Sequence, residues 1–171
     1  MKITHKKYPN HNLATENERG ENLIIDFIFS SILGALGVVF YFYIIDDYQY
    51  ITFKIKLTAF LVYLAVRFCY YLLFESIYSR TPGKFETQTK VVDKNGNKPN
   101  VFQVIIRSLS RFMSVLSGLS DDERAIHDMT SNTFVVYDEH LKKIKFKKLL
   151  NVLFSLSIAA IAIYFLLKLL N

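Results

Sequence analysis

LIIDFIFSSILGALGVVFYFYII, residues 23–45, carries one charged side chain, Asp26, in an otherwise apolar and aromatic run. About 20 apolar residues suffice for a helix to cross a bilayer, so this stretch reads as a transmembrane helix. Residues 57–78 and 149–170 have the same character. The chain therefore has three expected crossings, with lipid as its main solvent. Ionised groups within such runs are expensive unless they find partners or water, which singles out Asp26, Arg67 and Glu75.

Composition agrees. Of 171 residues, 51% are hydrophobic and 15% aromatic, while the net charge is +6. A soluble domain this apolar would leave much of its surface unsuited to water. The one cysteine, Cys69, cannot form a disulfide within the chain and reads as a small buried packing residue. The first apolar run follows a polar tail and is too long for the core of a cleaved leader, so an uncleaved crossing is expected. The organisation read from these features is a polar tail (1–22), a membrane unit (23–136), a basic linker (137–148) and a C-terminal helix (149–171).

Basic residues give the orientation. Lys2, Lys6, Lys7 and Arg19 precede the first run, and Arg80, Lys84, Lys90, Lys94 and Lys98 follow the second. Another group, from Arg124 to Lys148, precedes the third. Positive flanks mark the cytoplasm, placing the tail and residues 79–148 inside and residues 46–56 outside. Lys142 to Lys148 are expected to meet anionic lipid heads rather than nucleic acid.

Residues 101–120, VFQVIIRSLSRFMSVLSGLS, are more ambiguous. Gln103, Arg107, Arg111, Ser114 and Gly118 share one helical face, with Val101, Ile105, Leu109, Phe112 and Leu116 elsewhere. The charge rule favours an amphipathic helix at the cytoplasmic interface; the alternative is a fourth crossing. Residues 87–92 and 133–137 are β-prone, and Asn95-Gly96 is a two-residue turn signal, so a minor hairpin is expected in an otherwise all-α membrane bundle.

Helical spacing puts Asn22, Asp26, Ser30 and Gly34 on one stripe of the first crossing. On the second, Tyr63, Arg67, Tyr71, Glu75 and Tyr78 form another, and the two stripes are expected to face each other. Ser30 and Gly34 are a small-xxx-small pair suited to close helix approach. At a rise of about 1.5 Å per residue, Asp26 and Glu75 lie at similar shallow depth, roughly 5 Å beneath the inner interface. Arg107 and Arg111, one turn apart, are expected to cover both carboxylates. Arg67 is deeper and reaches tyrosine hydroxyls or water instead.

Other motifs are weak as chemistry. Thr81-Pro82-Gly83-Lys84 lacks the rest of a phosphate-binding loop and reads as a turn gripping the membrane surface. His127-Asp128 lacks the clustered ligands of a metal site and reads as loop-anchoring hydrogen bonds. Neither a metal nor another cofactor is implied, and no enzymatic constellation is expected.

Arg19, Leu-Ile-Ile-Asp ending at Asp26, Thr81-Pro82-Gly83-Lys84, Val91-Val92-Asp93, Asn95-Gly96, Arg107, Arg111, and Ile126-His127-Asp128 occur in an order that resembles the RDD family of small bacterial membrane proteins. The likeness extends from Arg19 to Val136. It implies that Arg19, Asp26 and Asp128 are the name-giving arginine and aspartates, and that Thr81, Pro82, Gly83, Lys84 and His127 belong to the shared motif. Asn22 departs from the small residue usual there, and the C-terminal helix lies outside the shared core. In this family the stretch around Arg107 is often taken as a membrane segment, which favours the fourth crossing. The resemblance implies a multi-pass protein of the bacterial cytoplasmic membrane. The expected role is a non-enzymatic membrane component with a carboxylate–arginine network. The alternative is an oligomeric cation/proton antiporter using Asp26 and Glu75. A homo-oligomer or a membrane partner protein is the expected company.

Overall fold

The computed structural model describes residues 7–8, 11–45, 52–114 and 125–170. Two short strands, β1 (Lys7–Tyr8) and β2 (His11–Leu13), lead into helix α1 (Glu16–Ile45). Thr15 and Glu18 form a capping box: the Thr15 N–H donates to Glu18 Oε2 at 2.8 Å, and the Glu18 N–H donates to Thr15 Oγ1 at 3.4 Å. This cap starts α1 seven residues before its apolar run, so the helix projects beyond the length a bilayer requires. Helix α2 (Phe53–Tyr78) runs back antiparallel and ends at Ser79, whose left-handed backbone lets its N–H donate to the Glu75 carbonyl at 3.0 Å. Both helices are long and apolar enough to cross a membrane.

Glycines bring the pair together. A Cβ on Gly34 would lie 2.6 Å from the Tyr63 ring, and one on Gly37 would lie 2.7 Å from Val66. The small-residue stripe is thus filled by the chain's own second helix. Asn22, Asp26, Ser30 and Gly34 are all buried, as the spacing predicts. On α2 the inward residues include Tyr70 and Tyr71 beside Glu75, whereas Tyr78 is exposed and does not belong to the facing stripe. Cys69 is also exposed, contrary to its reading as a core residue, because it lies on the outer side of α2. Leu23, Phe27, Phe40, Phe60 and Leu73 add to a broad apolar outer surface. Such a surface suits lipid better than water.

After α2 the chain builds a cap at the end where α1 begins. Helix α3 (Pro82–Glu86) starts with proline at a position that needs no N–H donor. It packs so closely on α1 that a Cβ on Gly83 would lie 2.6 Å from the Asn22 carbonyl oxygen. Strand β3 (Thr89–Asp93), helix α4 (Val101–Ser114), helix α5 (Ile126–Thr130) and strand β4 (Thr133–Tyr137) follow. The strands form an antiparallel sheet in the order β1-β2-β4-β3, with Val91 opposite Val135 and Leu13 opposite Val136.

The chain is mostly helical as expected, but its β element is a four-stranded sheet rather than a minor hairpin. Both β-prone stretches pair, but α4 and α5 lie between them. The Asn95-Gly96 turn does not join two strands. Gly96 takes the left-handed φ of 83°, and Asp93 Oδ1 accepts the N–H groups of Asn95 and Asn97, each at 2.8 Å, directing the chain toward α4. The tail's strands are two and three residues long, too short to display an alternating pattern.

Helix α4 turns its polar face inward. Arg107, Ser108 and Arg111 are buried together with Val104, while Val101, Phe102 and Leu109 are exposed. Its 14 residues extend about 21 Å. The remainder of the expected 101–120 helix, including Leu116 and Gly118, lies outside the described residues. Helix α6 (Phe146–Leu170) docks its first turns on the cap end of α1: Leu153 packs with Ile25, Phe29, Tyr70 and Tyr71, and Phe146 meets Phe29 edge-on at 6.1 Å between ring centroids.

Candidate functional site

Three buried carboxylates meet four basic side chains where the helix pair joins the cap. Asp26 is brought there by the inner stripe of α1. Its Oδ1 accepts from the Tyr70 hydroxyl and the Gly83 N–H, both at 2.9 Å, and its Oδ2 accepts from the Thr81 hydroxyl at 2.5 Å. Thr81 occupies the N-cap position of α3 but makes no side-chain cap bond to that helix. Its hydroxyl serves Asp26 instead. Lys84 Nζ is 4.0 Å from Oδ2, completing a polar cage.

Glu75, fully buried on α2, has stronger company. Lys84 Nζ donates to Oε1 at 3.0 Å, Arg111 Nη2 donates to the same oxygen at 2.9 Å, and Arg107 Nε donates to Oε2 at 3.0 Å. Arg111 also stacks over the Tyr71 ring, 3.8 Å from its centroid. Through Nη1, Arg107 donates to Asp128 Oδ1 and to Thr133 Oγ1. The second Asp128 oxygen accepts from Arg19 Nη1 at 2.5 Å. One continuous network therefore ties α1, α2, α3, α4 and α5 together.

Electrostatics in the cap follow from burial and these pairings. Burial alone would raise the Asp128 pKa, but Arg107, His127 and Arg19 outweigh it and hold the carboxyl well below its ordinary range. The neighbouring His127 imidazole is pushed well below its usual value, first by burial and then by Arg107. It is neutral near pH 7. Burial also lowers the Lys84 ammonium, against the pull of Glu75 and Asp26. Arg80, lowered by burial to about 10, spans three segments by donating to the carbonyls of Thr89, Lys84 and Lys142.

The sequence-based assignments divide clearly. Asp26 and Glu75 do lie together, bridged by Lys84. Arg107 and Arg111 cover Glu75, but Asp26 is held chiefly by uncharged donors because α3 stands next to it. Arg67 donates to Ser30 Oγ at 3.2 Å and to the Tyr63 hydroxyl at 3.4 Å, with Phe27 beneath it. It is separate from the network. The Thr81-Pro82-Gly83-Lys84 turn does not grip a membrane surface: all four residues are buried, and Lys84 points its charge at Glu75. His127-Asp128 is more than a loop anchor, since Asp128 receives two arginines.

Several participants escaped sequence reading. Tyr70, Thr133 and the cluster in which Asn22 exchanges side-chain hydrogen bonds with Thr87 and Thr89 are ordinary polar residues without a local pattern. Arg80 was legible only as a basic flank. Among the described residues, no three His, Cys, Asp or Glu side chains gather as metal ligands.

A sequence model described as the RDD family matches residues 22–170. The chain belongs to the RDD family. The match includes Asp26, the Thr81-Pro82-Gly83-Lys84 turn, Arg107, Asp128 and α6, extending past the Arg19 to Val136 likeness noted in the sequence. It begins three residues after Arg19, whose place in this RDD protein is marked by its bond to Asp128. Neither the curated proteins nor the solved structures provide a match.

Proposed function

We propose that this RDD protein is a non-enzymatic, multi-pass component of the bacterial cytoplasmic membrane. In this reading, the buried network locks a cytoplasmic cap onto the transmembrane helices. Helices α1, α2 and α6 cross the bilayer, α4 lies at the inner interface, and the exposed lysines before α6 rest among anionic lipid heads. A membrane partner or a second copy would recognise the resulting rigid unit, while nucleic acid plays no part.

The bridging of Glu75 and Asp128 by Arg107 supports this reading most strongly. Removing one member of a buried pair leaves an uncompensated charge, so such a bridge couples the helix pair to the cap. Exchange of protons for cations has less support. At Glu75, an incoming cation would compete with three basic side chains already in place. Both Asp26 oxygens are engaged by donors, including two hydroxyls that would each need reorientation to receive a metal ion.

Reconstituted protein provides the test. Wild-type vesicles are expected to show no cation flux under an imposed pH gradient, and Asp26→Asn is expected to lower the yield of folded protein. A wild-type flux abolished by Asp26→Asn without loss of folding would favour transport and reject the structural reading. Reporters fused after Ser120 and at the C-terminus test the orientation. An inside signal after Ser120 and an outside signal at the C-terminus are expected; an outside signal after Ser120 would overturn the interfacial placement of α4.

A further inference from the structure

A cavity of about 280 Å³ opens beside the network, between the first turns of α1 and helices α4 and α5. Arg19, Lys84, Arg107 and Arg111 contribute to its wall, as does neutral His127. Asp26 lies within the same wall, and Glu16 stands at the exposed rim. Among the described residues, Arg19, Lys84, Arg107 and Arg111 pair with the carboxylates Asp26, Glu75 and Asp128.

Arg19 holds one donor in reserve. Its Nη1 is engaged by Asp128 and its Nε donates to the Ala14 carbonyl at 3.3 Å, but Nη2 is buried with no hydrogen-bond partner. The side chain is only 9% exposed. An arginine N–H withdrawn from water without an acceptor costs roughly 1–3 kcal/mol or more, a penalty that an anionic ligand oxygen would remove. Arginine also presents planar donors suited to phosphate.

The rest of the wall selects what carries the phosphate. Leu23, Ala125 and Val135 add apolar surface to this charged wall, and Leu23 continues into the exposed Ile24 and Phe27 on the outer face of α1. Its volume is slightly below that of typical pockets for drug-sized ligands, which begin near 300 Å³, and suits a headgroup rather than an entire amphiphile. A phospholipid's phosphodiester carries one negative charge and bears the apolar chains that a free phosphate lacks. A free phosphate or phosphomonoester approaches two at neutral pH, since its second ionisation lies near pH 6.

We propose that this cavity binds the phosphodiester headgroup of an anionic phospholipid, with Arg19 Nη2 donating to a phosphate oxygen and the acyl chains following the apolar face of α1 from Leu23. This site is distinct from the exposed lysines before α6 and rests on the proposed placement of the cap at the inner leaflet. The ligand would tie the cap to the inner leaflet through the same arginine that holds Asp128.

Native mass spectrometry on the detergent-purified full chain tests the assignment, using phosphatidylglycerol, phosphatidylcholine and inorganic phosphate as separate probes. The wild type is expected to retain a single phosphatidylglycerol with about tenfold preference over phosphatidylcholine, equivalent to about 1.4 kcal/mol. Millimolar phosphate should not displace it. Arg19→Lys preserves a charge for Asp128 but removes Nη2, and is expected to lose most of this preference. Equal retention of both lipids, displacement by phosphate, or undiminished preference in a folded Arg19→Lys protein would overturn the proposal. The three wild-type arms decide the matter alone if that variant fails to fold.

Discussion

The middle of the α1–α2 pair and the end where it meets the cap solve different physical problems. In the middle, Gly34 and Gly37 permit close contact, and the charged Arg67 uses neutral hydroxyls and aromatic faces. At the cap end, Glu75 and Asp128 are both fully buried yet receive five charge-assisted contacts from Arg19, Lys84, Arg107 and Arg111. Apolar length creates the helix pair. Specific charge pairing determines which cap segments dock on it.

The largest break in this contrast is expected from Glu75→Gln. It leaves Lys84, Arg107 and Arg111 without their shared carboxylate, and loss of one buried partner typically costs about 3–5 kcal/mol. Thermal unfolding in detergent, followed by circular dichroism, should show a large loss of stability or no folded population. Retention of wild-type stability would remove the network from its central position.

Next in size is Gly83→Ala. The new Cβ would meet the Asn22 backbone rather than a flexible side-chain tip. Movement of α3 would disturb the Gly83 N–H bond to Asp26, so a cost of about 1–3 kcal/mol is expected from overpacking. The same unfolding measurement checks it, and an unchanged transition would contradict the close contact.

A pH series separates His127 from its permanently charged neighbours. Its folded pKa lies below the unfolded value of about 6.5, so the unfolded chain binds more protons as pH falls. Stability attributable to this group is therefore present above about pH 6.5 and declines below it, by at most about 1.4 kcal/mol per pH unit. Comparing wild type with His127→Gln between pH 5 and 8 should reveal a shallower acid-side decline in the variant. A smaller effect is expected from Arg67→Gln, which can retain hydrogen bonding near Ser30 and Tyr63. A change of about 1 kcal/mol or less would sharpen the distinction between the two regions, whereas a loss equal to that of Glu75→Gln would erase it.

The long helices were legible because apolar runs and helical spacing are local properties. So was the convergence of Asp26, Ser30, Gly34, Arg67 and Glu75 on facing stripes. The partners of Asp26 were not, because Tyr70, Thr81 and the Gly83 N–H acquire their roles only when α3 folds back onto α1. Lys84 was misread for a related reason: a lysine beside a membrane segment has the flank signature whether it faces lipid heads or a buried acid. The sheet shows the same limit, since pairing β2 with β4 joins segments more than a hundred residues apart.

A double-mutant cycle on Arg19→Gln in α1 and Asp128→Asn in the cap helix α5, whose side chains are paired at 2.5 Å, tests most directly whether the helix pair and the cap share one charged junction. Reversible unfolding in mixed micelles should give a coupling energy above about 1.5 kcal/mol, with the double variant less impaired than the sum of the two single variants. Additive effects, within about 0.5 kcal/mol, would contradict an energetically linked junction.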